Sequence, residues 1–137
     1  MGLRRKGREA ALKILYSLDI NPTPGEEACC QILDFGQVPE NAREFTKELV
    51  EETLGRLDEI DGYIRNASLK WEIGRMAAVD RNVLRLAVSE LTGTNPKPVR
   101  VVLNEAIELA KKFGGEESGT FVNGILDRVR TDLGMES

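Results

Sequence analysis

The apolar residues of this chain recur mostly at intervals of three and four positions, the spacing that places side chains on one face of an α-helix. The pattern is clearest in residues 102–113 and returns in residues 122–133. Between them, Gly114 and Gly115 supply the positive-φ positions that commonly end a helix, and Ser118 has a side chain suited to cap the next one. The stretch therefore predicts a helical hairpin with a short, glycine-marked turn.

Three more helices are predicted ahead of this hairpin. The first covers about residues 4–19, a short and weakly patterned one covers about residues 26–33, and a long one covers residues 42–64. The long helix contains Gly55 and Gly62, and each glycine destabilises a helix interior by about 1 kcal/mol relative to alanine. We therefore expect a bend, a close helix contact, or two helices that meet near Gly55.

A further helix, over residues 79–91, follows a segment without a continuous pattern. That segment, residues 66–76, is expected to be a linker with one short helical piece around Trp71, and it marks a boundary between two helical units. Trp71 is interpreted as a packing residue at this boundary. The outer face of the helix over residues 79–91 is expected to carry Asp80, Arg81, Arg85 and Glu90.

Composition agrees with an all-α domain and excludes several classes of site. The 137 residues form one domain by length, and no run approaches the roughly 18 to 20 apolar residues of a membrane span. The N-terminus lacks the apolar core of a signal peptide, so we expect a cytoplasmic protein. Cys29 and Cys30 are adjacent, which disfavours a disulfide between them, and the chain has no histidine to complete a zinc site. The thiols are interpreted as small hydrophobes, and no metal site is predicted.

Charge is distributed unevenly along the chain. Residues 1–13 carry five basic side chains against Glu9 alone, a net charge of +4, whereas the whole chain has a net charge of −4. The remaining residues therefore carry a net charge of −8. A basic arm on an acidic body indicates a local site for a polyanion.

The basic arm also shares its helix with an aromatic residue. Arg4 and Arg8 are four residues apart, and Arg5 and Tyr16 are eleven apart, so each pair lies on one side of a helix. Guanidinium groups pair with phosphates, and an exposed tyrosine can stack on an unpaired base. RNA binding is one interpretation of this cluster. A solvated first turn with a core tyrosine is the other.

No pattern of residues predicts catalysis. The chain lacks histidine and the glycine-rich loops that bind nucleotide phosphates. The acidic residues around 48–59 are interpreted as a solvated helix face rather than as catalytic carboxylates. Asn123 and Gly124 disfavour the helix in which they lie, and close approach of a neighbouring helix over Gly124 is the expected reason. We therefore predict a binding protein, not an enzyme.

Three segments carry a specific combination of residues in a fixed order. They read R-R-K-G-R-E-A-A-L-K-I-L-Y-S-L-D at 4–19, V-D-R-N-V-L-R-L-A-V-S-E-L at 79–91, and N-E-A-I-E-L-A-K-K-F-G at 104–114 continuing through S-G-T-F-V-N-G-I-L-D at 118–127. Together they resemble the NusB family of bacterial transcription antitermination factors, over nearly the whole chain.

The resemblance implies an all-α fold of two small helical bundles packed into one compact domain, here residues 1–70 with the basic first helix and residues 71–137. It implies binding of boxA, a short single-stranded element of nascent RNA, jointly with the small-subunit ribosomal protein that acts as the factor NusE. The complex would associate with elongating RNA polymerase and other Nus factors and promote processive transcription of ribosomal RNA operons. No cofactor, membrane contact or small-molecule substrate is implied.

Carried over to matching positions, the resemblance assigns RNA contacts to the basic helix and to the turn before the last helix. The expected RNA-binding residues are Arg4, Arg5, Lys6, Arg8, Tyr16, Glu117, Ser118, Thr120 and Phe121. The expected partner-protein surface carries Asp80, Arg81 and Arg85. The basic helix and the turn are thereby expected to form the two walls of one RNA groove.

Two other functions stay open at this stage. One is a free-standing relative of the NusB-like domain that precedes ribosomal RNA cytosine methyltransferases, which would assist RNA modification or processing. The other is a helical scaffold whose basic arm is only a solvated terminus. Sequence-selective RNA binding would exclude the scaffold, and the proteins captured from cell extract would separate the two RNA-binding functions.

Overall fold

The structure is a computed structural model that describes residues 2–21, 38–94 and 96–135, and within these ranges it is entirely helical, as predicted. A single 3₁₀ turn, Ile73–Arg75, lies in the predicted linker. The short helix predicted over residues 26–33 and the two cysteines lie outside the described residues. The helices are α1 (Leu3–Ile20), α2 (Glu40–Gly55), α3 (Leu57–Ala67), α4 (Ala78–Thr92), α5 (Val99–Gly114) and α6 (Glu116–Asp132).

The long helix predicted over residues 42–64 is two helices that meet at Arg56. Arg56 leaves the helical conformation, with φ −121° and ψ 23°, and its backbone N–H still donates to the carbonyl of Glu52 at 3.2 Å. No atom lies within 4 Å of a Cβ built on Gly55, so close helix packing does not explain that glycine. Of the three outcomes expected there, the junction of two helices is confirmed.

Helix α4 lies at the centre of the fold and packs against α1, α2, α3, α5 and α6. Its predicted outer face is therefore wrong: Asp80 and Glu90 are buried, and Arg81 and Arg85 are largely covered. A helix surrounded by others has no solvated stripe, so its charged side chains must find partners on neighbouring helices. The sequence pattern of α4 alone carries no sign of those partners.

One continuous apolar core joins the two predicted bundles. Ile14 of α1, Ile60 of α3, Leu84 of α4, Val102 of α5 and Leu126 of α6 all belong to it and are essentially inaccessible to solvent. Helices on both sides of the boundary expected near residue 70 thus share their buried surface. Whether residues 1–70 and 71–137 act as separate units stays a prediction.

Two glycines that interrupt helical patterns have different explanations. At Gly7, a Cβ would lie 2.6 Å from Cδ2 of Phe45 and 3.1 Å from Oγ1 of Thr46, so this glycine lets α1 and α2 approach closely. Thr46 Oγ1 also lies 3.3 Å from the Gly7 carbonyl oxygen. Gly124 is exposed, and nothing lies within 4 Å of the Cβ position. The helix contact predicted over Gly124 is therefore wrong.

Candidate RNA interface

The first turn of α1 concentrates positive charge at the amino end of the helix, where cations are destabilising. The helix begins at Leu3 without a side-chain cap and without an acidic residue in its first turn. Arg4, Arg5 and Lys6 occupy that turn, where the helix dipole disfavours each cation by about 0.3 to 1 kcal/mol. Arg4 and Lys6 are exposed and Arg5 is half-exposed. The helix dipole does not account for these residues, and we interpret the exposed Arg4 and Lys6 as part of a surface for an anion.

Arg5 is held in place by an acidic residue of α5. Its Nε donates to Oε1 of Glu105 at 3.0 Å, and its Nη2 bonds the second carboxylate oxygen. These hydrogen bonds lower the pKa of Glu105 and raise the pKa of Arg5. The pair fixes the Arg5 side chain across α1 and α5 while part of it stays accessible to solvent.

Arg8, by contrast, is buried and satisfied within the protein. Its Nε donates to Oε2 of Glu90 at 2.9 Å and its Nη2 donates to Oε1 of the same carboxylate at 2.8 Å. Glu105 lies 3.7 Å from Nη1. The predicted RNA contact of Arg8 is untested, but this geometry gives the residue a structural position between α1 and α4.

Tyr16 lies on the surface of α1, three turns after Arg5. The ring is 40% exposed, so the alternative interpretation of a core tyrosine is wrong. Lys13, one turn earlier, is also exposed, and its Nζ lies 5.9 Å from the ring centroid of Phe113 in α5. Helix α1 thus presents cations and an aromatic ring together on its accessible side.

The turn between α5 and α6 is shorter than the sequence predicts. Gly115 alone links the two helices, with φ +94°, a conformation that side-chain-bearing residues rarely adopt. Because α6 already begins at Glu116, the prediction of Ser118 as the helix cap is wrong. The Ser118 hydroxyl instead donates to the carbonyl of Gly114 at 3.2 Å. The tight link fixes the first turn of α6 against the end of α5.

The predicted RNA residues of α6 differ in accessibility. Glu117 and Thr120 are exposed, and Ser118 and Phe121 are half-buried. Thr120 Oγ1 donates to the carbonyl of its own helix at Glu116, at 3.2 Å. The ring of Phe121 contacts Trp71 edge-on, with centroids 5.8 Å apart. This part of α6 therefore offers one open polar side and one aromatic side.

The last turn of α5 lies between the basic helix and the α6 turn. Lys112 Nζ donates to Oε2 of Glu9 in α1 at 2.9 Å and lies 5.7 Å from the ring centroid of Phe113. We call the surface formed by Arg5, Glu9, Lys13, Lys112 and Phe113 the α1–α5 face. It connects α1 to the last turn of α5, which Gly115 links to α6. Whether RNA lies between α1 and the α6 turn stays a prediction.

Sequence reasoning did not select Lys13, Lys112 or Phe113 for this site. Lys112 follows Glu9 by 103 residues, and in the sequence it is simply a cation near a helix C-terminus, where the dipole favours it. The available signal was that a cation lies near an aromatic residue in both helices, at Lys13 and Tyr16 in α1 and at Lys112 and Phe113 in α5. Nothing in the local spacing shows that these two helix surfaces meet.

Of the three residues predicted for the partner surface, Arg81 and Arg85 hold α4 to its neighbours. Arg81 Nε donates to Oδ2 of Asp19 at 2.8 Å, and Arg85 Nε donates to Oδ1 of Asp61 at 2.9 Å. Burial alone would raise the pKa of Asp19, but hydrogen bonds from Arg81 and Asn82 and the charges of both arginines lower it. Asp80 is 9% exposed. A direct contact of these residues with a partner protein is untested.

The described part of the chain meets the requirements of neither a metal site nor a membrane span. Over those residues, no cluster of three His, Cys, Asp or Glu side chains is arranged to hold a metal ion. Among the same residues, no helix is long and apolar enough to cross a membrane. A cluster of basic residues on one helix is typical of a surface that binds nucleic acid, and α1 carries such a cluster together with the exposed Tyr16.

The family model described as NusB family matches residues 5–131, and the chain belongs to this family. The resemblance drawn from the three sequence segments is thus confirmed. The family is one of transcription antitermination factors rather than enzymes, which agrees with the prediction of a binding protein.

Curated relatives support this membership over almost the full chain. The transcription antitermination protein NusB of Geobacter sulfurreducens is 46% identical over 134 residues, covering 97% of both chains. The protein of the same name from Myxococcus xanthus is 44% identical over 137 residues, covering 97% of this chain and 98% of its own.

Solved structures share the fold. A crystal structure of NusB and NusE in complex with double-stranded RNA has a TM-score of 0.88 at 30% identity, covering 96% of this chain and 98% of that one. NusB of T. maritima has a TM-score of 0.85 at 38% identity, covering 94% of this chain and 91% of that one. A chain from a crystal structure of a plectonemic RNA supercoil has a TM-score of 0.91 at 30% identity, with full coverage of both chains.

Proposed function

We propose that this chain is an RNA-binding transcription antitermination factor that binds single-stranded boxA RNA together with the ribosomal protein NusE. Family membership supports the general function. The observation that supports RNA binding is the run of cations at the amino end of α1, where the helix dipole disfavours positive charge. Two of these cations, Arg4 and Lys6, are exposed to solvent. Selection for a charged ligand explains residues that helix stability does not.

The α1–α5 face suggests how such RNA would be held. Exposed Arg4, Lys6 and Lys13 would pair with phosphates, and Lys112 would join them when its contact with Glu9 is exchanged for a phosphate. Tyr16 offers a ring on which an unpaired base can stack. Glu117, Ser118, Thr120 and Phe121 would border the RNA on the side of α6. Arg5 and Arg8 would mainly hold α1 in position against α5 and α4. The guanidinium of Arg5 is half-exposed and can also reach a phosphate.

The α1–α5 face carries few cations, and a basic protein partner would add positive charge for RNA binding. A few phosphate contacts give limited affinity. The logarithm of the binding constant for a single strand falls with the logarithm of salt concentration by a slope of roughly −0.7 per phosphate contact. The acidic remainder of the chain would attract a basic ribosomal protein, which adds positive surface. The related NusB crystallised with NusE and RNA supports this partnership for the present chain. The ion pairs of Arg81 with Asp19 and of Arg85 with Asp61 would support the partner surface from within by fixing α4 against α1 and α3.

The assembled complex would act with elongating RNA polymerase and other Nus factors in the cytoplasm, on ribosomal RNA operons. Single-round transcription in vitro tests this function. A template with boxA ahead of an intrinsic terminator should give more read-through when this chain and NusE are added with the other Nus factors. A template with scrambled boxA should not. Equal read-through with and without the chain would contradict the proposal.

A further inference from the structure

Trp71 is the only tryptophan of the chain, and it lies on the surface rather than in the boundary between bundles. Its side chain is 58% exposed, so the interpretation as a packing residue holds for only part of the ring. The packed part meets Phe121, with centroids 5.8 Å apart and an angle of 89° between the ring planes. A large aromatic ring left open in this way is available to a ligand.

The backbone that carries Trp71 is fixed by hydrogen bonds. The Trp71 N–H donates to the carbonyl of Ser68 at 3.1 Å, and the buried Ser68 hydroxyl lies 2.8 Å from the carbonyl of Ile64 and 3.2 Å from that of Trp71. These contacts close a turn directly after α3. The backbone under the ring is therefore held in place, which reduces the entropy lost when a flat ligand stacks on it.

Phe121 connects this ring to the proposed RNA surface. It lies in α6 one turn after Glu117, among the residues proposed to border the RNA. Because Trp71 contacts Phe121 directly, the accessible surface continues from the α5–α6 turn to the segment after α3. Lys70, next to Trp71, is exposed and adds a cation where a phosphate of the same strand would pass.

We propose that Trp71 is a stacking platform on which an unpaired RNA base lies, with Phe121 beside it. This inference rests on the proposed RNA-binding function and extends its site to the connection between α3 and α4. Stacking suits a single strand because every base offers a flat face, and loss of one such stack weakens binding roughly fivefold or more. A protein ligand is the competing occupant, and contact with Phe121 favours RNA.

Because Trp71 is the sole tryptophan, its emission reports on this site alone. Single-stranded boxA RNA would be titrated into the full chain while tryptophan fluorescence is recorded, with anisotropy of end-labelled RNA measured in parallel. We expect emission to be quenched over the same RNA concentrations as the anisotropy rises. Trp71→Ala should weaken RNA binding roughly fivefold or more, and Trp71→Phe should retain most of the affinity.

Leu69→Ala is the matched control, since Leu69 is 73% exposed two residues earlier. It should leave RNA affinity unchanged, and circular dichroism should show equal helicity in all variants. Two results together would overturn this inference and leave the proposed function intact. RNA would bind without a change in tryptophan emission, and the RNA affinity of Trp71→Ala would stay within twofold of wild type. Quenching by NusE but not by RNA would also overturn it, by assigning the ring to the protein. Failure of the wild-type chain to bind RNA both alone and with NusE would overturn both.

Discussion

Arg8 and Glu90 form a two-bonded ion pair inside the contact between α1 and α4, with Nε to Oε2 at 2.9 Å and Nη2 to Oε1 at 2.8 Å. Both side chains are almost fully covered. The charge of Arg8 is therefore matched inside the protein, although the residue lies within the basic run of the sequence. The cations of α1 that face solvent are Arg4, Lys6 and Lys13.

Arg8→Ala is expected to destabilise the fold rather than to act on RNA binding alone. It leaves the carboxylate of Glu90 buried without its partner, which typically costs about 3 to 5 kcal/mol. Urea denaturation followed by circular dichroism measures this change in the free energy of unfolding. Lys6→Ala, an exposed change two residues earlier, is the control and should shift stability by about 0.5 kcal/mol or less. Equal stability of the two variants would contradict the structural role of Arg8.

The pairs of Asp19 and Glu105 make stability depend on acid pH. Both carboxyls have a pKa below the ordinary values of 3.8 and 4.5, so their contribution is complete above about pH 5 and is lost as pH falls below about 4. Asp19→Asn should therefore be less stable than wild type at pH 7. The difference in unfolding free energy should shrink as pH falls below 3.8, because protonation of this carboxyl then favours the unfolded state of wild type. A difference that stays constant with pH would contradict the lowered pKa.

Glu9→Gln should strengthen RNA binding. The change removes a negative charge from the α1–α5 face and leaves Lys112, now 2.9 Å from that carboxylate, available to a phosphate. We expect a gain on the order of 0.5 to 1 kcal/mol, about two- to fivefold in affinity at low salt. Anisotropy of labelled RNA measures it. Glu51→Gln on α2 is the same chemical change away from the α1–α5 face and should leave RNA affinity unchanged. A similar gain in affinity there would show that the effect comes from net charge alone.

Gly7→Ala and Gly62→Ala should have opposite effects. At Gly7 the new methyl group would meet the Phe45 ring at 2.6 Å, so α1 and α2 must separate, at a cost of about 1 to 3 kcal/mol that exceeds the gain in helix propensity. At Gly62 nothing lies within 4 Å, and alanine should stabilise α3 by about 0.5 to 1 kcal/mol. Thermal unfolding compares the two. Stabilisation by both would show that the α1–α2 contact yields easily.

Helix positions could be predicted from the sequence because apolar spacing is a local property. Predicted helices over residues 4–19 and 79–91 agree with α1 and α4 to within about one residue. The environment of α4 could not be predicted, since its charged residues pair with Asp19 and Asp61, which are distant in sequence. A polar stripe looks the same whether water or a neighbouring helix covers it.

Part of the candidate site was likewise beyond sequence reasoning. The basic start of α1 and the residues of the α6 turn came from motifs within single segments. Lys112 and Glu9 meet only because long side chains connect α5 to α1. Trp71 reaches Phe121 only because a hydrogen-bonded turn follows α3. Side chains that approach each other across the fold leave no mark in local spacing.

Affinity for boxA RNA, measured with and without NusE over a range of salt, tests whether this chain binds RNA sequence-selectively with its partner. With NusE, boxA should bind at least about tenfold tighter than a scrambled strand, and about four phosphate contacts give a log–log salt slope near −3. Replacing Arg4 and Lys6 together by alanine should reduce that slope by about 1.4 without loss of helicity. Equal affinity for boxA and scrambled RNA, or a slope that the double variant leaves unchanged, would contradict the account.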